Sequence, residues 1–117
     1  MTEAETLTRR IVTVLGLAVL YADRAPQDVP VVLDHAEDLI LRLFWLPESI
    51  DGVALRRAAN ATGRPSRHMR IAIRERDRES LDEAIRDLEA ANAALAALLP
   101  AAVAPRSRNP EPKRAAA

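Results

Sequence analysis

A cluster of basic side chains between residues 56 and 78 contains the residue types in this sequence that are best suited to bind a charged partner. The segment holds eight Arg against Glu75 and Asp77, whereas the flanking segments 1–55 and 79–99 are net negative. Guanidinium groups form paired hydrogen bonds with phosphate and carboxylate oxygens. We therefore expect the segment to contact a nucleic acid or an acidic protein face, either of the same fold or of a second copy. The candidate contact residues are Arg56, Arg57, Arg64, Arg67, His68, Arg70 and Arg74.

The spacing of small residues in this segment resembles a helix-turn-helix. Ala59 precedes Gly63 by four residues and Met69 follows Gly63 by six, a pattern in which Ala lets two helices approach closely and Gly makes the sharp turn. Arg64 and Ala72 depart from it, because such motifs prefer an apolar residue at the first position and a larger core residue at the second. The resemblance implies that the recognition helix opens with Ser66, Arg67, His68 and Arg70, and that phosphates are contacted by Arg56, Arg57 and Arg74.

Residue types that support catalysis or metal binding are sparse. Cysteine is absent and the only histidines are His35 and His68. His35 has Asp38 within one helical turn, but zinc sites need three or four protein ligands. No glycine-rich phosphate loop or serine nucleophile motif is present. Arg64 and His68 resemble the Arg–His pair of the helical HEPN ribonucleases, with fewer residues between them than that motif has. We therefore predict a protein that is not an enzyme and that binds no cofactor, metal or small-molecule ligand.

The elements that position the basic segment are predicted to be helices. Ala and Leu dominate, while Gly and aromatic residues number three each, a composition that favours helix over strand. Apolar spacing and breaker residues predict helices over residues 3–22, 29–46, 52–62 and 66–99. Gly63 should close the third helix in a left-handed conformation, and the fourth helix either runs unbroken or restarts at Ser80. The expected N-caps are Thr2, with Glu5 in a capping box, Asp28, Asp51 and Ser66.

Apolar periodicity predicts the core. Residues 11–22 are apolar nearly all round, so we expect the first helix to lie in the centre, buried on most sides. Phe44 should widen the apolar face of the second helix. In the last helix Leu81, Leu88 and Leu95 fall seven residues apart and form a packing seam. The positions predicted to be buried are Ile11, Leu15, Ala18, Leu39, Leu43, Leu88, Leu95 and Leu98.

These elements predict one all-α domain over residues 1–99, a small antiparallel helical bundle with three long helices plus one short helix. A disordered, Pro-rich and basic tail should follow over residues 100–117. The apolar run of the first helix is shorter than the ~20 residues that a membrane span needs. Glu3 and Glu5 stand where a signal peptide would be basic. We expect a cytoplasmic protein that does not contact a membrane.

The functional prediction follows from helix length and charge. An unbroken helix over residues 66–99 would span ~50 Å, against ~30 Å for each of the first two helices, which therefore could not cover it. Together with charge blocks of opposite sign, this favours a non-catalytic helical protein–protein interaction module that self-associates or docks on a protein partner. The alternative is a helix-turn-helix-like nucleic-acid-binding regulator that uses the Arg-rich segment 56–78.

Overall fold

Helices account for nearly all of the residues that the structure, a computed structural model, describes. These are residues 2–47 and 50–100, without the side chains of Ile50 and Asp51. The all-helical prediction is confirmed, since no strand occurs within the described ranges. The predicted disordered tail lies outside them from residue 101 onward. In chain order the elements are α1 (Glu3–Arg24), a short 3-10 helix (Pro26–Asp28), α2 (Val29–Trp45), α3 (Ile50–Asn60), α4 (Gly63–Glu75) and α5 (Arg78–Ala96).

Helix α1 begins at the predicted capping box and packs against α2, α3 and α5. The Thr2 Oγ1 accepts a hydrogen bond from the Glu5 backbone N–H at 3.1 Å, and the Glu5 Oε1 accepts one from the Thr2 N–H at 3.0 Å. These bonds satisfy two donors that a helix start leaves free. The prediction that α1 is buried on most sides is wrong for one face, where Leu17 is 41% and Leu20 is 44% exposed. Three neighbouring helices do not surround α1 completely.

The predicted last helix is divided into α4 and α5. Arg76 adopts a left-handed conformation with φ 55° and ψ 41°, and Asp77 becomes the N-cap of α5. The Asp77 carboxylate accepts hydrogen bonds from the Ser80 backbone N–H at 3.1 Å and from the Ser80 hydroxyl at 2.9 Å. The unbroken helix and the restart at Ser80 are therefore both wrong. Because α4 turns back to pack on α5, the mismatch in helix length disappears as an argument for self-association.

Two further capping predictions differ from the structure. Asp28 directly precedes α2 but its side chain makes no capping hydrogen bond. Asp51 lies inside α3, which begins one residue earlier, so it is not the N-cap. Pro30 does occupy the first turn of α2, as predicted; a proline is tolerated there because its missing N–H would have no partner within the helix.

The Asp77 cap predicts a pH dependence of stability. Hydrogen bonds from the Ser80 backbone N–H and hydroxyl lower the pKa of Asp77 below its ordinary value. A lowered folded-state pKa means that the stabilisation is fully present above the unfolded value of about 3.9 and is lost as the pH falls through the folded value. We expect the Tm of the wild type to exceed that of Asp77→Asn by a constant margin at neutral and mildly acid pH. The margin should shrink below about pH 4, and a margin independent of pH would contradict this assignment.

The hydrophobic core lies along α1, between that helix and the inward faces of α2, α3 and α5, and it continues between α4 and α5. Seven of the eight positions predicted to be buried are confirmed, each with 0–1% exposure: Ile11, Leu15, Ala18, Leu39, Leu43, Leu88 and Leu95. The eighth, Leu98, is 47% exposed. The prediction for Leu98 is wrong because α5 ends at Ala96, so the helical periodicity does not extend to it.

Candidate interaction surfaces

Arg56, a predicted contact residue, is used inside the fold. Its Nε donates to the Leu43 carbonyl oxygen at 3.3 Å, and its Nη2 donates to the Leu46 carbonyl oxygen. These oxygens lie at the C-terminal end of α2, where the Leu43 carbonyl oxygen also accepts from the Leu46 backbone N–H at 3.3 Å and the helix dipole favours a cation. Arg56 therefore ties α3 to the end of α2.

Arg70 and Arg78 are also paired within the chain. The Arg70 Nη2 lies 2.7 Å from the Asp34 Oδ1 and 3.7 Å from the Glu37 Oε2, which joins α4 to α2. The Arg78 Nη2 lies 3.3 Å from the Asp23 Oδ1 of α1. Two arginines of the basic segment thus pair with acidic residues of the same fold, which was one of the alternatives that the sequence left open.

The outward face of α4 carries three arginines that remain available. Arg64, Arg67 and Arg74 are exposed, and none of them makes an ion pair or hydrogen bond with any described residue. Their spacing places them on one stripe of the helix together with Ile71, which is 42% exposed. We call Arg64, Arg67 and Arg74 the basic ridge. Arg57 on α3 is likewise exposed.

The junction between α3 and α4 departs from a helix-turn-helix. Ala59 and Met69 are both 0% exposed, as the resemblance requires. However, Gly63 has no positive φ and is the first residue of α4 rather than the turn. Ser66, predicted to cap this helix and to face the nucleic acid, lies within α4 and is 8% exposed. The predicted left-handed Gly63 and the predicted Ser66 cap are both wrong, because Thr62 ends the two-residue turn and its carbonyl oxygen already accepts from the Ser66 N–H at 3.1 Å.

A groove between α4 and α5 brings basic and acidic side chains together. It has a volume of about 440 Å³, with Arg64 and His68 on the α4 wall and Asp87 on the α5 wall. Glu83 lies one helical turn before Asp87, and both are exposed and make no ion pair with a described residue. We call Glu83 and Asp87 the acidic ridge. Sequence spacing within the basic segment could not identify this groove, because Asp87 reaches it only through the fold.

An exposed apolar patch lies at the C-terminal end of α2. Trp45, the only tryptophan, is 84% exposed, while Leu41 is 56% and Phe44 is 43% exposed. Leu41 lies three positions before Phe44 and four before Trp45, so it adjoins both of them on the helix surface. The prediction that Phe44 widens the buried face is wrong. Leu41 and Trp45 fall outside the buried stripe of α2, which is the signal that could have identified the patch.

Charged residues border the apolar patch without giving it a net charge. Asp38 and Arg42 precede Leu41 and Trp45 on the outer side of α2 and form an ion pair of 3.2 Å. An apolar centre beside polar residues is typical of a protein-binding surface. Contiguous exposed apolar groups of this kind also mark interaction sites more often than single exposed residues do.

Two other features are absent from the part of the chain that the structure describes. Among residues 2–47 and 50–100, no three His, Asp or Glu side chains come close enough to hold a metal ion. None of the described helices combines the length and the apolar character that a membrane span requires. The sequence matches no protein-family model, no curated protein and no solved structure.

Proposed function

We propose that this chain is a non-catalytic, cytoplasmic protein–protein interaction module. It uses an antiparallel helical bundle as a rigid scaffold and either self-associates or docks on a protein partner. The observation that carries the proposal is the apolar patch of Leu41, Phe44 and Trp45, with Trp45 84% exposed. Tryptophan is enriched among the residues that dominate the binding energy of protein interfaces.

The free energy available from covering this patch supports the proposal. Burial of an aromatic side chain removes roughly 150 to 250 Å² from water. At about 25 cal/mol per Å², this is worth roughly 4 to 6 kcal/mol per aromatic residue as an upper limit. Phe44 and Trp45 leave part of this free energy unused in the isolated chain, and a partner that covers both can recover it against the cost of association.

The experiment that tests the proposal compares two surface variants. Trp45→Ala removes the centre of the patch, whereas Val31→Ala removes a side chain that is 70% exposed on the same helix, ~21 Å away along its axis. Immobilised wild type and Val31→Ala should retain the same proteins from an extract, and Trp45→Ala should lose them. Equal retention by all three would contradict the proposal, as would a wild type that retains nothing and sediments as a monomer at every concentration.

The second candidate function is a nucleic-acid-binding regulator that uses the Arg-rich segment. It is favoured by the basic ridge, whose three arginines are exposed and unpaired among the described residues. Phosphate contacts by these arginines would release counterions, so binding would weaken steeply with salt. Retardation of random duplex DNA at low salt, lost in Arg64→Ala/Arg67→Ala, would support this candidate.

A further inference from the structure

We propose that the face formed by α4 and α5 binds the same face of a second copy of this chain, with the basic ridge of one protomer on the acidic ridge of its partner. This inference rests on the proposed interaction function and names a second copy as one partner. It uses a surface separate from the apolar patch on α2, so the two surfaces can be tested independently.

The first argument is the charge pattern on the two helices. The basic ridge runs from Arg64 to Arg74 of α4, a separation of ten residues or ~15 Å along the helix axis. On α5, Glu83 and Asp87 are exposed and four residues apart, which is ~6 Å along its axis. The acidic ridge therefore fits within the length of the basic ridge. Because neither ridge is paired within the described residues, each offers its charges to another molecule.

The second argument is the symmetry of the face. The groove of about 440 Å³ has Arg64 and His68 on one wall and Asp87 on the other, so one protomer presents both signs side by side. A twofold axis that lies in the interface and runs along this groove places α4 of each protomer on α5 of the other. The same attractive contact then occurs twice, as an isologous dimer requires.

The third argument is that the apolar and small residues on this face permit close packing. Ile71 is 42% exposed in the middle of the basic ridge. Ala90 and Ala94 are exposed on the same side of α5 as Glu83 and Asp87. Small side chains on α5 leave room for the larger Ile71 of a partner, so the contact includes apolar burial as well as charge.

The same observations favour a protein copy over a nucleic acid at this face. Asp87 forms the wall opposite Arg64, and Glu75 lies beside Arg74 on α4. Both carboxylates would repel phosphates, whereas a second copy places its basic ridge on Asp87. Three of the eight arginines in residues 56–78 are already used inside the fold, namely Arg56, Arg70 and Arg78.

The test uses two charge-reversed variants, each alone and mixed. Arg64→Glu/Arg67→Glu makes α4 acidic, and Glu83→Arg/Asp87→Arg makes α5 basic. Each variant alone would oppose like charges at both contacts of the dimer, so its dissociation constant should rise at least about tenfold. In the equimolar mixture both contacts again join opposite charges, and sedimentation velocity should show a heterodimer. Rescue on mixing cannot result from a change in the stability of either chain.

A control and four contrary outcomes complete the test. Arg10→Glu/Arg24→Glu makes the same change in net charge on exposed residues of α1, and it should leave the dimer intact. A wild type that is monomeric at every concentration would overturn the inference but leave docking through Trp45 standing. Loss of the dimer in Trp45→Ala, or variants that remain monomeric when mixed, would also overturn it. Retardation of duplex DNA by a monomeric wild type would assign the basic ridge to nucleic acid instead.

Discussion

Replacement of Leu88 by alanine should lower the free energy of unfolding by about 2 to 5 kcal/mol. Leu88 is 0% exposed on the inner face of α5, so the substitution removes buried methyl groups and leaves a cavity that the surrounding helices fill only in part. Urea denaturation followed by circular dichroism measures the change. The midpoint should fall with little change in the slope of the transition.

Leu98→Ala is the matched control for Leu88→Ala. Leu98 was predicted to be buried but is 47% exposed beyond the end of α5. We expect a change within about 0.5 kcal/mol, as for most surface substitutions. If Leu98→Ala were as destabilising as Leu88→Ala, the seam would continue past Ala96 and the end assigned to α5 would be wrong.

Replacement of Arg56 by alanine should be the second most destabilising of the changes considered, at about 1.5 to 3 kcal/mol. The substitution removes the donors that the Leu43 and Leu46 carbonyl oxygens receive from α3. It also removes a positive charge from the C-terminal end of α2, where the helix dipole favours one. Thermal and urea unfolding should both show the loss.

Arg57→Ala serves as the control for Arg56→Ala. Arg57 is the next residue on α3, is exposed, and makes no ion pair with a described residue. The variant should unfold at nearly the wild-type temperature. Equal Tm values for the Arg56 and Arg57 variants would contradict a structural role for Arg56.

Local signals in the sequence predicted much of the fold. The capping box of Thr2 and Glu5 was predictable because both partners lie within one helical turn. The spacing of Ile11, Leu15 and Ala18 was sufficient to predict their burial, since a helix places such positions on one face. These features depend on the periodicity of a single helix.

The break between α4 and α5 could not be located from the sequence. The run from Arg74 to Glu79 consists of residues that helices accept, apart from the modest cost of Asp77. The chain turns there because α4 packs back onto α5, and the Asp77 carboxylate then caps the new helix. Ser80 and Glu83 have the spacing of a competing capping box, so local patterns favoured the wrong start.

The candidate site was only partly predictable for the same reason. Whether an arginine is available depends on its neighbours in space, and Asp34 and Leu43 reach Arg70 and Arg56 through the tertiary fold. Exposure of Trp45 depends on which side of α2 the other helices cover. Sequence patterning identifies the charged and apolar residues, while packing decides which of them remain free to bind.

The measurement that most directly tests the interaction function is the dissociation constant of the protein partner that the wild type retains from an extract. Trp45→Ala should raise it at least about tenfold, because truncation of a central aromatic residue in an interface costs about 2 kcal/mol or more. Val31→Ala, also exposed on α2, should leave it within about twofold. Binding by Trp45→Ala that is as tight as binding by the wild type would contradict the assignment of the apolar patch as the interaction surface.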